Sequence, residues 1–244
     1  MISGAGVRAS GLGCFESGDA GPGGAIPVLA RRVSDRRAAF LSVRYVILGG
    51  MARPRRFDPD EVVDRSMREF WGRGYRETSV DDLVEATGVR PGSLYNAFPG
   101  GKRGLFLKAL DRYSKLVVPE KLGALEDPGA GLAELRAYFD GLVDDLTTPE
   151  GRMGCLMVNS TVELAAEDSE VGAIVRNHMR RLERNAERAL RNAQRRGEIG
   201  EHVDPRAKAV QLMATGMGLM VVGKTDPGRN VLETIVEAAF AGLD

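Results

Sequence analysis

Between Thr78 and Lys102 the chain reads TSVDDLVEATGVRPGSLYNAFPGGK, and the side chains gathered there suit recognition better than reaction. Arg90, Ser93 and Asn96 offer the donors and acceptors that match base edges, whereas Ser79, Tyr95 and Lys102 carry the hydroxyl and ammonium groups that meet phosphates. Pro91 and Gly92 add a small-residue turn that permits close approach. Catalytic chemistry finds fewer candidates. The two histidines, His178 and His202, stand at no metal-ligand spacing with a cysteine or carboxylate, so neither a metal nor a cofactor is expected. Gly100-Gly101-Lys102 lacks the strand, the spaced glycine and the following hydroxyl residue of a phosphate loop. An enzyme is therefore the least favoured class.

Short helices must present the recognition residues. Thr78 and Ser79 are good caps, and Val80, Leu83, Val84 and Thr87 recur at three- and four-residue spacing, giving one apolar face until Gly88 stops the helix. A second helix is expected to start near Arg90-Pro91, where a missing N–H does no harm, and to end at Pro99-Gly100-Gly101. Leu94 and Phe98 are its packing residues. Neither helix is long enough to be stable alone. Both lean on a third, predicted from Asp58 or Pro59 to Arg73, with Val63, Met67, Phe70 and Trp71 turned inward. Such a helix-turn-helix unit places its second helix in the DNA major groove, N-terminus first.

The segment resembles the DNA-binding domain of the TetR family of bacterial repressors. Ala86, Gly88, Val89, Ser93, Leu94, Tyr95, Phe98 and Lys102 carry the likeness, within a stretch from Phe57 to Tyr113. One departure is that Pro99, Gly100 and Gly101 separate the phenylalanine from the lysine, where the family usually has two residues. The resemblance implies an all-α, TetR-like fold: an N-terminal three-helix helix-turn-helix domain followed by a C-terminal helical ligand-binding and dimerisation domain. It further implies a homodimer on a palindromic double-stranded operator, released by a small-molecule effector, for which the residues described below suggest a hydrophobic or electrophilic compound. The other reading is an architectural DNA-binding protein whose C-terminal helices only dimerise.

A fourth helix is predicted from Lys102 to Val118, its apolar side including Tyr113 and Leu116 and its end set by Pro119. Five more helices follow, among them one with a stripe of Leu132, Leu135, Phe139, Leu142 and Leu146 and a long charged one from Ser169 to Arg196. Methionines and glycines are frequent here and make adaptable walls for an apolar ligand. The candidate effector residues are Tyr113, Phe139, Cys155, Asn159, His178, Met179 and Met213. His178 is either a satisfied interior histidine or a ligand contact. Cys155 is placed on a helix starting after Thr147-Thr148-Pro149-Glu150, sharing a face with Val158, Asn159 and Val162. With Arg152 and the helix N-terminus nearby, it is either a low-pKa reactive thiol or an inert small hydrophobe.

The helix from Asp204 to Lys224 is apolar almost all round and needs cover on more than one side. Pairing with the last helix and with a second copy would supply that cover, through Met217, Val221, Ile235 and Ala239. Acidic and basic residues balance at 34 each, so DNA affinity must come from local placement of charge. Arg53, Arg55 and Arg56 supply such placement as a basic arm, or else form a solvated tail. Residues 1–50 read as a disordered, glycine-rich extension, with Met51 a natural start for residues 51–103, the DNA-binding domain, and 104–244 the effector and dimerisation domain. Two cysteines without a framework, no secretory signal and no spanning apolar run make the cytoplasm the expected location and the membrane an unexpected partner.

Overall fold

Helix-forming signals at both ends of each segment decide the architecture of residues 57–243, which the computed structural model describes. The expected extension over residues 1–50 and the candidate contact Arg55 lie outside these residues. Among them are nine α-helices and no strand: α1 Pro59–Arg73, α2 Val80–Thr87, α3 Pro91–Ala97, α4 Gly101–Leu122, α5 Leu132–Leu146, α6 Leu156–Glu163, α7 Ser169–Arg195, α8 Pro205–Val222 and α9 Arg229–Phe240.

The first three helices follow their sequence signals closely. Asp58 caps α1 by accepting from the Asp60 N–H, and Pro59 occupies its first turn. Ser79 and Asp82 form a reciprocal capping box at the start of α2. Gly88, at φ 69°, then takes a left-handed conformation and donates its N–H to Val84 O, turning the chain sharply toward α3. α1 packs on α2 and α4, and α3 is held between α2 and α4.

Helix α4 departs from expectation by running through Pro119 to Leu122. Pro119 cannot donate to the Lys115 carbonyl, but Lys115 is exposed, so water can take the donor's place. Beyond Tyr113 the buried positions become Val118 and Leu122, and Leu116, expected inside, is 50% exposed. The lengthened helix joins both halves, touching α1 and α3 along one part and α5, α6 and α7 along the other.

In the C-terminal half α7 lies along α8, and α5 packs on α7, α8 and α9. Phe139 of α5 meets Phe240 of α9 edge to face at 5.4 Å, and Arg136 lies over the same Phe240 ring. The segment before α6 also differs from expectation. Gly151–Met153 forms a 3-10 turn and Cys155 is the extended N-cap of α6, so the helix starts later than its Thr147–Glu150 signal suggests. Val162 consequently shares no face with Cys155: the first is 80% exposed and the second 6%.

Candidate nucleic-acid interface and ligand cavity

Helix α3 is seated by two side chains and leaves the rest outside. Leu94 and Phe98 are buried, whereas Arg90, Pro91, Gly92, Ser93, Tyr95 and Asn96 are exposed. Among the described residues, the side chains of Arg90, Ser93, Tyr95 and Asn96 have no hydrogen-bond partner, which leaves them available to an external one. Tyr95 lies against the start of α4, where a Cβ on Gly101 would come within 2.5 Å of its ring. The extra residue before Lys102 is accommodated by glycine too: a Cβ on Gly104 would stand 1.9 Å from the Pro99 carbonyl oxygen.

Two of the nominated phosphate contacts are otherwise engaged. The Ser79 hydroxyl donates to Asp82 and accepts the Asp82 N–H, so the cap consumes its proton; the Asp82 carboxyl is held below its usual range mainly by that hydroxyl. Lys102 Nζ stands 4.4 Å over the Tyr75 ring and 3.5 Å from the Arg76 carbonyl oxygen, folded back on the turn between α1 and α2. Lys102 is the second residue of α4, and the Tyr75 face holds its ammonium.

The turn after α1 is bonded directly to the second half of the chain. The Glu163 carboxylate at the end of α6 accepts the N–H of Tyr75 at 2.9 Å and of Arg76 at 2.6 Å. At the other end of α6, Trp71 Nε1 donates to Gly154 O at 2.9 Å, while the Asn159 amide donates to Met153 O at 3.0 Å and to Trp71 O at 3.5 Å. Arg103 of α4 forks onto Asp168, the N-cap of α7, and this guanidinium holds the Asp168 carboxyl at about 2. Asn159, nominated for an effector, is thus committed to backbone carbonyls of this joint.

Beside the joint lies a cavity of about 540 Å³, walled by Trp71, Tyr113, Tyr138, Cys155, His178 and Met220 among others. A recess of about 40 Å³ adjoins it and shares Tyr138, Cys155, His178, Leu182 and Met220. Of the nominated effector residues, Tyr113, Cys155 and His178 line the cavity, Phe139 and Met213 line the recess, and Met179 and Asn159 line neither. Sequence reasoning missed Tyr138 as a wall residue, and gave Trp71 only a core role. Tyr138 is the neighbour of the core residue Phe139, and its position in α5 carries no signal of its own.

Cys155 is not an activated thiol. Burial pushes its pKa up, against the smaller opposing effect of the Tyr113 hydroxyl, which donates to Sγ at 3.6 Å. Arg152, expected to lower it, pairs instead with Asp226 at 2.7 Å. Tyr113 and Tyr138 are also raised above the usual phenol range by desolvation. His178 is buried, its Nδ1 has no partner, and burial holds its pKa at about 4, so the ring is neutral near pH 7.

The outer side of α8 carries a stripe of Val210, Ala214, Gly218 and Val221, all exposed, and α9 exposes Val231. Of the nominated dimer residues, Val221 is 50% exposed and Ile235 is half-buried. Met217 turns partly into the recess, and Ala239 is only 5% exposed because α9 packs that side on its own chain.

Residues 62–109 match the family described as "Bacterial regulatory proteins, tetR family", and residues 131–239 match "Tetracyclin repressor-like, C-terminal domain". The HTH-type transcriptional repressor ComR of Escherichia coli K12 is 33% identical over 153 residues, 62% of this chain and 72% of that protein. The uncharacterized HTH-type transcriptional regulator YezE of Bacillus subtilis 168 is 30% identical over 195 residues, 80% of this chain and all of the other, 100%. Among solved structures, a cysteine mutant of the TetR family transcriptional regulator CifR, complexed with 26bp double-strand operator DNA, superposes with a TM-score of 0.68 at 28% identity, over 79% of this chain and 100% of that one. The chain belongs to the TetR family of bacterial transcriptional regulators, whose members bind operator DNA through the helix-turn-helix formed here by α2 and α3. Among the described residues no helix is long and apolar enough to cross a membrane.

Proposed function

We propose that the protein is a homodimeric cytoplasmic repressor that holds a palindromic operator through α3 and lets it go when a small molecule fills the cavity beside α1. The observation that carries this reading is Trp71: its indole forms part of the cavity wall, belongs to the first helix of the DNA-presenting unit, and is bonded to Gly154 at the cavity edge. A ligand pressing on that wall displaces α1 relative to α6, and the Glu163 clamp on Tyr75 and Arg76 transmits the shift to the start of α2. Arg90, Ser93 and Asn96 approach bases in this reading, and Tyr95 meets the backbone. The apolar stripe on α8, with α9 beside it, pairs with a second copy and sets two α3 helices about one DNA turn apart.

The test is binding of the full chain to its own upstream region, followed by fluorescence anisotropy. A dimer making about six to eight phosphate contacts gives a log–log salt slope of about −5 to −7. Affinity no better than for random DNA at moderate salt would sink the repressor reading. Light scattering should report a dimer at micromolar concentration and a monomer for Val221→Glu.

A further inference from the structure

The wall between the cavity and its recess concentrates polar groups that the fold itself leaves unused. Neither Tyr138 Oη nor His178 Nδ1 finds a hydrogen-bond partner among the described residues, although His178 is only 7% exposed and both rings line both spaces. An unpaired buried polar atom is costly, and in a native structure it calls for a partner. Tyr138 is half-buried and lines both spaces, and burial pushes the pKa of its hydroxyl up. The remaining polar groups at this wall are the Tyr113 hydroxyl and the Cys155 thiol, already bonded to each other.

The charge around them is balanced. The cavity is lined by two basic residues, Arg68 and Lys121, and two acidic ones, Asp145 and Glu150, with Lys121 and Asp145 paired at 2.6 Å. None of these lines the recess, whose walls are otherwise leucine, valine, alanine, glycine, phenylalanine and methionine. A charged group brought to the inner wall would lose its hydration; the cations that reach this wall electrostatically, Arg181 toward His178 and Lys224 toward Cys155, line neither space, and Arg181 is already paired with Glu126 at 2.6 Å.

We propose that the cavity takes an uncharged, largely apolar molecule bearing a hydroxyl or carbonyl oxygen, which His178 and Tyr138 receive while the apolar body extends along Trp71 and Met220. This deepens the effector reading above and rests on it for its biological meaning, but ligand selection is a property of the cavity and can be measured without DNA. The site binds by recognition and forms no bond through sulfur, because Cys155 is only 6% exposed and its Sγ already accepts from the Tyr113 hydroxyl at 3.6 Å.

Four probes with one shared body test this against the full chain by calorimetry at pH 7.5: naphthalene, 2-naphthol, 2-acetylnaphthalene and 2-naphthoate. The two uncharged oxygenated probes should bind about tenfold more tightly than naphthalene, one hydrogen bond's worth, and 2-naphthoate should bind more weakly than naphthalene. In His178→Phe and in Tyr138→Phe the preference should fall while naphthalene binding persists, which also shows that each variant keeps its cavity. Binding of 2-naphthoate in preference to the others, an unchanged preference in both variants, or no binding by any probe overturns the proposal. So does alkylation of Cys155 by N-ethylmaleimide at the rate of a free thiol peptide, measured with Cys14→Ser. Operator anisotropy in the same samples separates the two readings: the expected binding order without operator release would fail the effector function and leave the ligand class standing.

Discussion

The outer face of α3 and the wall shared by cavity and recess both hold polar side chains without intramolecular partners, yet only the first stands fully in solvent. On α3, Arg90, Ser93 and Asn96 are exposed, which suits the contact with a polyanion proposed for them. At the inner wall, burial favours the uncharged forms of His178 and Tyr138, in keeping with the neutral ligand proposed above. The same deficiency of partners therefore stands in opposite surroundings, and local dielectric is what separates the two preferences proposed for them. Between the two regions, Trp71, Glu163 and Arg103 tie the elements together with buried or charge-assisted hydrogen bonds.

The contrast can be broken most forcefully at the seat of α3. Phe98→Ala removes a ring that is 7% exposed and should destabilise the protein by about 3–5 kcal/mol in urea unfolding, with loss of operator binding. At the inner wall the signature is pH. The folded pKa of His178, about 4, lies below its ordinary 6.5, so the unfolded chain binds more protons between these values. Stability is therefore full above pH 6.5 and falls as the pH drops toward 4, by about 3 kcal/mol in total, and His178→Phe should abolish this component.

Smaller effects sharpen the comparison. Arg90→Ala should weaken operator binding by about 1–3 kcal/mol with relaxed sequence preference if it reads a base, whereas Tyr95→Ala should weaken all sequences alike and flatten the salt slope. Anisotropy across a set of single-base operator variants distinguishes the two outcomes. Glu163→Gln keeps one acceptor oxygen but loses the charge that draws in the N–H groups of Tyr75 and Arg76, for a stability cost of about 1 kcal/mol. Its sharper readout is coupling: probe binding measured by calorimetry should be retained while probe-driven operator release is blunted.

Legibility followed the range of the interactions involved. The bounds of α1, α2 and α3 were readable to within a residue, because Asp58, Ser79, Gly88 and Pro91 act on neighbours within four positions. The inward face of α5 was readable for the same reason, periodicity being a local property. Pro119 misled because a missing N–H is tolerated where the freed carbonyl sits in water. Asn159 and Arg152 misled in another way: nothing within a helical turn announces that the first bonds Met153 and Trp71 or that the second pairs with Asp226, 74 positions along the chain.

By itself, the sequence determined the helical class, the helix that exposes Arg90, Ser93 and Asn96, and the family, since caps, periodicity and a short motif need only adjacent residues to act. Tertiary structure alone decided which buried groups face the cavity, that Cys155 is desolvated instead of activated, that Ser79 and Lys102 are already engaged, and that Ala239 turns inward while Val221 stays out. Burial and pairing depend on what distant segments bring to a side chain, and a thiol, an imidazole or a lysine takes its chemistry from that surrounding.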